Sequence, residues 1–423
     1  MVQRRVAITG LGLVSPYGGN IPDFFERLLA GESAVRLLQT DDQPRPLSVP
    51  FVSCAGFDAE AVLGKPLALM MERFSQLAVA AAFQAWDAAG LSRGPGADGA
   101  ESRANWGCIW GTALGGTLAY ERGYRDFWLK GRERISPLSV VLGMNNAANA
   151  HISIQLGLGG VSMSHTVACA SSSIALGEAF HRVRSGQSTV VLAGGSDVCQ
   201  AYGVVRAWEA MRVMAPGTAD TAPEACRPFA QDRKGLVLGE GAAALVLEDW
   251  DHAVARGAAI HGELVGYGTS CDHSHLVRPD PQGQVRAMQS ALADAGLQTQ
   301  DVDYINAHGT ATAEGDPVEV SAIKTVFGAQ AARLPVSATK SMHGHLLGAA
   351  GAIEAVTTVL ALREQAIPPT AHLAGRLDSA CEGVDHVFSA RRGVPLRVAL
   401  SNSFAFGGSN AVLVFRAPEP SLS

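Results

Sequence analysis

Short apolar runs that favour strands alternate with helical spacings along much of the chain. Residues 5–15 are rich in apolar and β-branched positions and end in a glycine turn, which predicts a strand. Residues 23–30 then have apolar positions at helical spacing. The chain therefore begins with a strand followed by a helix, the order typical of α/β proteins.

A weak internal repeat organises the pattern further, and internal repeats bear directly on the predicted fold. Residues 80–92 and 287–298 both read as helices stopped by a C-terminal glycine, and each precedes a strand with a turn. A second pair of segments each combines a strand with a following helix. In the first pair, the predicted strand and turn segments are 107–116 and 303–312. In the second pair, segment 161–169 is followed by a helix to about 185, and segment 334–340 is followed by a helix from about 345 to 363.

Two similar halves predict a layered α/β architecture with a pseudo-twofold axis between them. The junction is expected near residues 247–257, where a strand gives way to a polar helix. We place the halves at residues 1–250 and 251–423. Because no low-complexity linker separates them, they should pack tightly.

Composition excludes several classes of protein. The 423 residues are 47% hydrophobic and 17% charged, which excludes disorder as the main state. The formal net charge is −6 and no basic stripe occurs, so we expect no nucleic-acid partner. Apolar stretches are broken well before the length of about 18 residues that spans a membrane, so we expect no membrane segment. The seven cysteines are scattered without a Cys-x-x-Cys pair, which favours a reducing, cytoplasmic location.

Cys169 is the strongest candidate for a nucleophile. It lies after a predicted strand and at the mouth of a helix of small residues. Free N–H groups and the helix dipole at such a position favour a thiolate and supply donors to an oxyanion. The plainer alternative for any cysteine is a small buried apolar residue.

Two histidines lie in glycine-bracketed turns of the second half. His308 follows a predicted strand, where a loop can direct an imidazole into a cleft. His345 is flanked by glycine in a turn that the repeat relates to the Cys169 turn, so the two turns should face one another. A lone histidine is more often structural, but this combination predicts a site.

Two other functional interpretations start from glycine and histidine spacings in the sequence. Gly10 and Gly12 suggest a dinucleotide-binding turn, but Ser15 stands where its third glycine belongs. A metallohydrolase could use His343 with His345, or His273 and His275 with Cys271 and Asp272. No His-Glu-x-x-His pattern accompanies these histidines, so we expect no metal.

Four motifs together resemble those of β-ketoacyl-[acyl-carrier-protein] synthases, most closely the elongating branch of the thiolase superfamily. The resemblance extends from Val6 to Val414. It implies a thiolase-like, five-layered αβαβα fold built from two pseudo-twofold-related halves. The motifs are Val-Ala-Cys-Ala-Ser-Ser at 167–172, Asn-Ala-His-Gly-Thr-Ala-Thr at 306–312, Thr-Lys-Ser-Met-His-Gly-His-Leu-Leu-Gly-Ala-Ala-Gly at 339–351 and Asn-Ser-Phe-Ala-Phe-Gly-Gly-Ser-Asn at 402–410.

The resemblance implies a decarboxylative condensation. Cys169 would hold the acyl group as a thioester, and His308 and His345 would stabilise the enolate formed when malonyl-carrier protein loses CO2. The main-chain N–H groups of Cys169 and Phe404 would form the oxyanion hole. The product would be a 3-oxoacyl-carrier protein, made without a dissociable cofactor.

Other positions receive supporting roles from the same resemblance. Lys340 and Glu354 would form a charged pair behind the histidines, although Lys340 could instead be a solvated surface lysine. Thr310 and Thr312 would bind the pantetheine amides. Phe404 and residues 406–408 would form a gate over the site.

The resemblance also implies an acyl pocket and protein partners. Leu114 would lie near the end of the acyl pocket, and Ile135 and Leu138 belong to a segment that would line the pocket of a neighbouring subunit. The partners would be an acyl carrier protein and a second subunit, either identical or a related chain. Docking of the acidic carrier would use Arg134, Arg206 and Arg212.

Departures from the family pattern leave the pathway open. Ala405 stands where glycine is usual, which could stiffen the gate if the position needs a positive φ. Ala313 and Glu314 replace a proline-containing turn, and residues 65–72 are mostly apolar where relatives carry basic side chains. Fatty-acid elongation is the first interpretation, and a type II polyketide or aryl-polyene pathway is the alternative. A non-catalytic partner subunit of the chain-length-factor type is the alternative from a different class, although such subunits lack the nucleophile.

Overall fold

The backbone is mixed α/β in all three segments that the structure describes. This computed structural model describes residues 3–40, 45–94 and 103–418, so the outer limits of both predicted halves, 1–2 and 419–423, lie outside the described residues. The strands are β1 Val6–Val14, β2 Arg36–Thr40, β3 Leu47–Val52, β4 Gly107–Gly111, β5 Ser162–His165, β6 Val190–Val198, β7 Leu238–Asp249, β8 Gly262–Cys271, β9 Tyr304–Asn306, β10 Pro335–Ser337, β11 Ala366–Ile367, β12 Asp385–His386, β13 Arg391–Arg392, β14 Val398–Phe404 and β15 Ser409–Arg416.

The helices occupy the segments between the strands. They are α1 Ile21–Leu29, α2 Ala59–Leu63, α3 Lys65–Ala68, α4 Arg73–Ala88, α5 Thr117–Trp128, α6 Leu138–Gly143, α7 Ala147–Leu156, α8 Ser171–Arg184, α9 Tyr202–Ala210, α10 Trp250–Ala255, α11 Pro281–Ala295, α12 Gly315–Phe327, α13 Lys340–His343 and α14 Ala350–Glu364. No helix of the described residues is both long enough and apolar enough to cross a membrane.

Two blocks of five strands share one internal order. The first block runs β5-β4-β6-β7-β1 and the second β10-β9-β14-β15-β8. In each block the first two pairings are parallel and the last two antiparallel. The blocks meet where β1 pairs with β8. The predicted pseudo-twofold repeat is therefore confirmed, strand by strand.

Helices cover both blocks and fill the space between them. Helix α4 packs with α7 on the first block, and α11 packs with α12 on the second. Helices α8 and α14 pack against each other and against strands of both blocks. The result is the αβαβα stack that the resemblance implies, with the apolar core on both faces of the central helices.

Small residues let the two central helices approach closely. A Cβ on Gly351 of α14 would lie 2.0 Å from the hydroxyl oxygen of Ser173 on α8, so this position requires glycine. The N–H of Ala352 donates to the Ser172 hydroxyl at 2.9 Å. The close crossing brings the first turns of α8 and α14, and the segments before them, to the same place.

Two helix starts differ from the sequence prediction. Helix α1 begins at Ile21 rather than 23, because Asn20 caps it by accepting the N–H of Asp23. Helix α14 begins at Ala350 rather than near 345. The backbone of His345 is bonded instead to β7, with its N–H donating to Val237 O at 2.7 Å and its carbonyl accepting from Gly239 N. The segment that carries His345 is thus held against the other half of the molecule.

Candidate active site

Cys169 lies in a strained turn between β5 and α8. It is the middle residue of a 3-10 turn over Ala168–Ala170, and α8 begins at Ser171. Ala168 has φ 45°, a left-handed conformation that is costly for a residue other than glycine. The Ser171 hydroxyl accepts from Val167 N at 2.8 Å and donates to Ala168 O at 2.7 Å, which holds the turn. The strain places a buried sulfur, in a residue 6% exposed, directly before the helix.

The second half contains the equivalent turn. Leu347 also has φ 45°, and a 3-10 turn over Leu347–Ala349 leads into α14. Gly348 therefore occupies the position that Cys169 has in the first half, and His345 precedes it by three residues. Buried Asp197, at the end of β6, accepts Gly348 N and Ala113 N, both at 2.7 Å. One carboxylate thus ties a turn of the first half to the turn that follows His345.

The predicted cysteine and both predicted histidines converge. The sulfur of Cys169 lies 3.0 Å from Nε2 of His345. The imidazoles of His308 and His345 meet edge to face, with ring centroids 5.4 Å apart and planes at 85°. One ligand atom from each of the three side chains lies within 4.8 Å of the other two. A single thioester can therefore contact all three groups.

The expected thiolate is not the resting form of Cys169. Burial raises the pKa of the thiol to about 11, although the charge of Lys340 and the N–H groups of Phe406 and Cys169 act in the opposite direction. Desolvation of the charged form outweighs the helix N-terminus here. The thiol must lose its proton as it attacks, and Nε2 of His345 is placed to accept it.

Both histidines are neutral at ordinary pH. Burial, followed by the nearby charge of Lys340, lowers the pKa of His308 and of His345 well below the usual range. The Nζ of Lys340 lies 3.3 Å from Nδ1 of His308 and donates to the His308 carbonyl at 2.7 Å. Because an ammonium group can only donate, Nδ1 of His308 accepts and its proton is on Nε2. His308 therefore has an N–H donor available to an enolate oxygen.

Lys340 is fully buried and is paired with Glu354, so it is not a solvated surface lysine. Its Nζ donates to Oε1 of Glu354 on α14. Burial raises the pKa of Glu354 to about 7, against the lowering effect of Lys340. The pair keeps a positive charge behind His308 that disfavours protonation of both imidazoles.

Two buried carboxylates on α12 hold the His308 loop. Glu319 accepts the N–H groups of His308 and Gly309, each at 2.8 Å. Asp316 accepts those of Thr310 and Ala311, each at 3.1 Å. Sequence reasoning missed both residues. The sequence signal that could have identified them is their spacing of three residues, which places two carboxylates on one face of a helix.

The backbone N–H that acts on the Cys169 thiol is not that of Phe404, which the resemblance implied as an oxyanion donor. The N–H of Phe406, two residues later, lowers the pKa of the Cys169 thiol. Phe404 is the last residue of β14, and its ring packs against His308 with centroids 6.1 Å apart. Ala405 does not adopt a positive φ, whereas Gly407 and Gly408 do, with φ 88° and 74°. The alanine is therefore accommodated without backbone strain.

A cavity of about 400 Å³ opens onto the reacting groups. Its lining includes Cys169, His308 and His345, together with Thr310 and Thr312, whose hydroxyl oxygens are 3.0 Å apart. Phe404 and Phe406 form part of one wall. The cavity thus brings together a nucleophile, two neutral imidazoles and backbone N–H donors. The nucleophile can form and break a thioester, and the donors can stabilise a carbanion generated beside it.

Comparison with known proteins identifies the family. The family model "Beta-ketoacyl synthase, N-terminal domain" matches residues 3–253, and "Beta-ketoacyl synthase, C-terminal domain" matches residues 261–374. The chain belongs to the beta-ketoacyl synthase family. The synthase is 43% identical over 415 residues to Nodulation protein E of Rhizobium sp. (strain N33), covering 98% of this chain and 100% of the relative.

Two further relatives support the same membership. The synthase is 39% identical over 417 residues to 3-oxoacyl-[acyl-carrier-protein] synthase 2 of Staphylococcus aureus (strain COL), covering 98% of each chain. Among solved structures, the ishigamide ketosynthase/chain length factor matches with a TM-score of 0.89 and 32% identity, covering 99% of this chain and 100% of that one. The thiolase-like fold expected from the motifs is thus confirmed, and the protein is a condensing acyltransferase by family.

Within the described residues, several other predicted positions lie away from the cavity. Leu114 does not line it and donates its N–H to Asp197 at 3.1 Å, and Ile135 and Leu138 are exposed on the surface of the synthase. Arg134 is also exposed and outside the lining. Arg206 is already bonded, to Glu209 and to the carbonyls of residues 45 and 46. Arg212 alone of the three predicted docking arginines is in the cavity lining.

The side chains considered as ligands of a metallohydrolase make other contacts in the structure. Both ring nitrogens of His343 are engaged, Nδ1 with Gly344 O and Nε2 with the Thr339 hydroxyl, each at 2.9 Å. Nδ1 of His275 accepts backbone N–H groups, and Asp272 accepts from Asn410 at 2.7 Å. Among the described residues, the converging group of three consists of Cys169, His308 and His345 instead.

Proposed function

We propose that the protein is a 3-oxoacyl-[acyl-carrier-protein] synthase that elongates acyl chains. The Cys169 sulfur attacks the acyl thioester of a carrier protein, the carrier thiol leaves, and His345 relays the proton from sulfur to the leaving group. Malonyl-carrier protein then loses CO2, and its enolate carbon attacks the Cys169 thioester. The new carbon–carbon bond gives a tetrahedral oxyanion, which collapses as the sulfur leaves as a thiolate. The thiolate takes up one proton from water, giving 3-oxoacyl-carrier protein and the free enzyme with a Cys169 thiol.

The meeting of Cys169, His308 and His345 at one cavity end carries this proposal. Neutral His308, with its proton on Nε2, can donate to the enolate oxygen, and His345 can do the same once its ring proton has moved to Nε2. The Lys340 charge behind the two rings favours their neutral state. The N–H groups of Cys169 and Phe406 at the sulfur supply the donors for a tetrahedral oxyanion. Phe404 contributes a wall beside His308.

The cavity rim supports a phosphopantetheine arm on an acidic carrier protein. Thr310 and Thr312 line the path to the sulfur, where hydroxyl groups can bind the arm's amides. Three exposed cations line the rim and have no ion-pair partner among the described residues: Arg212, Lys234 and Arg278. An anionic carrier would be attracted to this rim, whereas Arg134 lies outside it and Arg206 is engaged elsewhere.

We propose that the working enzyme is a dimer. Strand β5 is an edge strand, and exposed apolar side chains cluster on α5 and α6, which pack against each other. Tyr124 and Trp128 stack on that surface, with ring centroids 4.9 Å apart, and Trp128 is 69% exposed. A second subunit would cover this face and bring Ile135 and Leu138 to its neighbour's acyl pocket.

The seven free cysteines support a cytoplasmic location.

Two alternatives concern the pathway and the catalytic status. A relative named Nodulation protein E and a ketosynthase of the ishigamide system keep a specialised polyketide or aryl-polyene pathway open beside fatty-acid elongation. A silent subunit of the chain-length-factor type is disfavoured, because the nucleophile is present and both imidazoles face it.

A condensation assay tests the proposal. Purified protein is incubated with malonyl-carrier protein and a panel of acyl-carrier proteins that spans short, long and conjugated polyenoyl chains, and the products are resolved by mass. We expect 3-oxoacyl-carrier protein and CO2 in equal amounts with at least one acyl chain. Absence of product across the panel, with carrier proteins that a known synthase accepts, would contradict the proposal.

A further inference from the structure

An aromatic pair links a rigid helix to the loop that covers Cys169. The indole of Trp208 and the phenyl ring of Phe406 stack with centroids 5.8 Å apart and planes at 18°. Both rings line the cavity. Trp208 is on α9 near its C-terminal end, and Phe406 is in the loop between β14 and β15. The pair therefore connects α9 and the β14–β15 loop across the cavity wall.

The helix side of this pair is firmly held. Arg206, two residues before Trp208, bonds to Glu209 at 2.6 Å and to the carbonyl of residue 45 at 2.6 Å. Trp208 itself is half-buried and packs against the main core cluster. An aromatic ring fixed in this way can act as a stationary platform for a movable partner.

The loop side is held by backbone hydrogen bonds on both sides of Phe406, at Ala405, Gly407 and Gly408. The N–H of Ala405 donates to Ser409 O at 2.8 Å, and that of Gly407 donates to Leu276 O at 2.7 Å. Gly407 and Gly408, both with positive φ, give the loop conformational freedom. In the part of the chain that the structure describes, the Phe406 N–H has no such backbone acceptor, and it acts on the Cys169 thiol by lowering its pKa. The stacking on Trp208 is thus the contact that orients the residue whose N–H meets the reacting atom.

We propose that Trp208 is a positioning residue that, by stacking on Phe406, holds the 405–408 loop closed over Cys169 with the Phe406 N–H at the sulfur. Stacking of one aromatic pair accounts for a change of up to about tenfold in the population of the closed loop. Loss of the indole releases the loop, widens the entrance and misplaces one oxyanion donor. A phenyl ring at 208 preserves the stacking.

The primary test measures access to Cys169 and needs no carrier protein. Alkylation of buried Cys169 is measured with small iodoacetamide and with bulky N-phenylmaleimide. The modified peptide is identified by mass, because exposed Cys271 also reacts. His345, Lys340 and Asp197 affect the intrinsic reactivity of the thiol, which enters both rate constants equally. The ratio of the bulky-reagent to the small-reagent rate constant therefore reports access to the sulfur alone. We expect Trp208→Ala to raise the bulky-to-small ratio about five- to tenfold, while Trp208→Phe stays near wild type. Trp250→Phe, outside the cavity lining, is the control for the loss of one tryptophan.

Two further measurements separate positioning from a general loss of structure. Phe406→Leu keeps the N–H but removes the ring, so it should raise the ratio as Trp208→Ala does, and the double variant should add nothing further. With acyl and malonyl carrier proteins, kcat of Trp208→Ala should fall about five- to tenfold with little change in KM, and Trp208→Phe should restore it. This last arm rests on the proposed function, whereas the alkylation arms do not.

The proposal is overturned by any of three results. An unchanged alkylation ratio in Trp208→Ala would show that the stacking does not hold the loop. Equal impairment of Trp208→Phe and Trp208→Ala would show that ring stacking is not the property required. Additive effects of Trp208→Ala and Phe406→Leu would show that the two residues act independently, even where either single variant loses thermal stability.

Discussion

Individual side chains in the site owe their charge state mainly to burial. The pKa of the Cys169 thiol rises to about 11, and those of His308 and His345 fall well below the usual range, with burial the largest cause in each case. The sequence predicted a thiolate from the helix N-terminus. It could not show how completely two packed halves exclude water from the sulfur, and that exclusion decides the outcome.

His343 provides a direct test of this burial effect outside the reacting groups. Burial lowers its pKa from 6.5 to about 3. The unfolded chain therefore binds a proton between pH 6.5 and 3 that the folded protein does not, so the stability contributed by neutral His343 is lost as the pH falls through that window. The raised pKa values of buried carboxyl groups have the opposite effect on stability as the pH falls. Because wild type and a His343 variant share these carboxyl groups, subtracting the unfolding free energies of the two proteins removes their contribution.

Comparison of wild type with His343→Asn isolates the single group. Between pH 7.5 and 5.0, the free energy of unfolding of wild type should fall relative to that of His343→Asn by about 2 kcal/mol. Urea denaturation at the two pH values measures this difference. A difference that stays constant with pH would show that His343 titrates normally in the folded protein.

At the scale of elements, the sequence predicted the strand and helix order well and the turns poorly. Repeated segments located β4 with β9 and α8 with α14, because period and glycine stops are local signals. The start of α14 was wrong by about one turn, since His345 bonds to β7 from the other half. The N–H that acts on the Cys169 thiol is that of Phe406 rather than Phe404 for a similar reason, because a motif gives residues but not the direction in which each N–H points.

Helix α12 is expected to position the His308 loop through Glu319. Replacing Glu319 by Ala removes the acceptor of three buried donors, the N–H groups of His308 and Gly309 and the side-chain amide of Asn402. The free energy of unfolding should therefore fall by about 2–4 kcal/mol, and kcat should fall with it. Ser321→Ala, exposed on the same helix, should change stability by less than about 0.5 kcal/mol. Urea denaturation and condensation rates measure both effects. Equal behaviour of the two variants would contradict a positioning role for Glu319.

The whole molecule works as two halves that build one site at their junction. Cys169 comes from the first half, and both histidines come from the second. The repeat made this arrangement predictable, because equivalent turns related by a pseudo-twofold axis must meet near that axis. Surface partners were less predictable: of the three arginines chosen from the sequence, only Arg212 lines the cavity.

Charge reversal at Arg212 tests carrier docking at the rim. In Arg212→Glu the KM for acyl-carrier protein should rise about three- to tenfold, because an acidic partner meets repulsion during encounter. The KM for a small acyl-pantetheine thioester should stay nearly unchanged, and the difference should shrink at high salt. Steady-state kinetics with the two substrates provide the measurement. Equal increases for both substrates would place Arg212 in the binding of the acyl arm rather than of the carrier.

The most direct test of the central claim is the intact mass of the protein after incubation with acyl-carrier protein alone. The account predicts one added acyl group on Cys169, absent from Cys169→Ala and released as 3-oxoacyl-carrier protein when malonyl-carrier protein is added. An unmodified wild-type chain, with a carrier protein that another synthase uses, would contradict the account and favour a silent partner subunit.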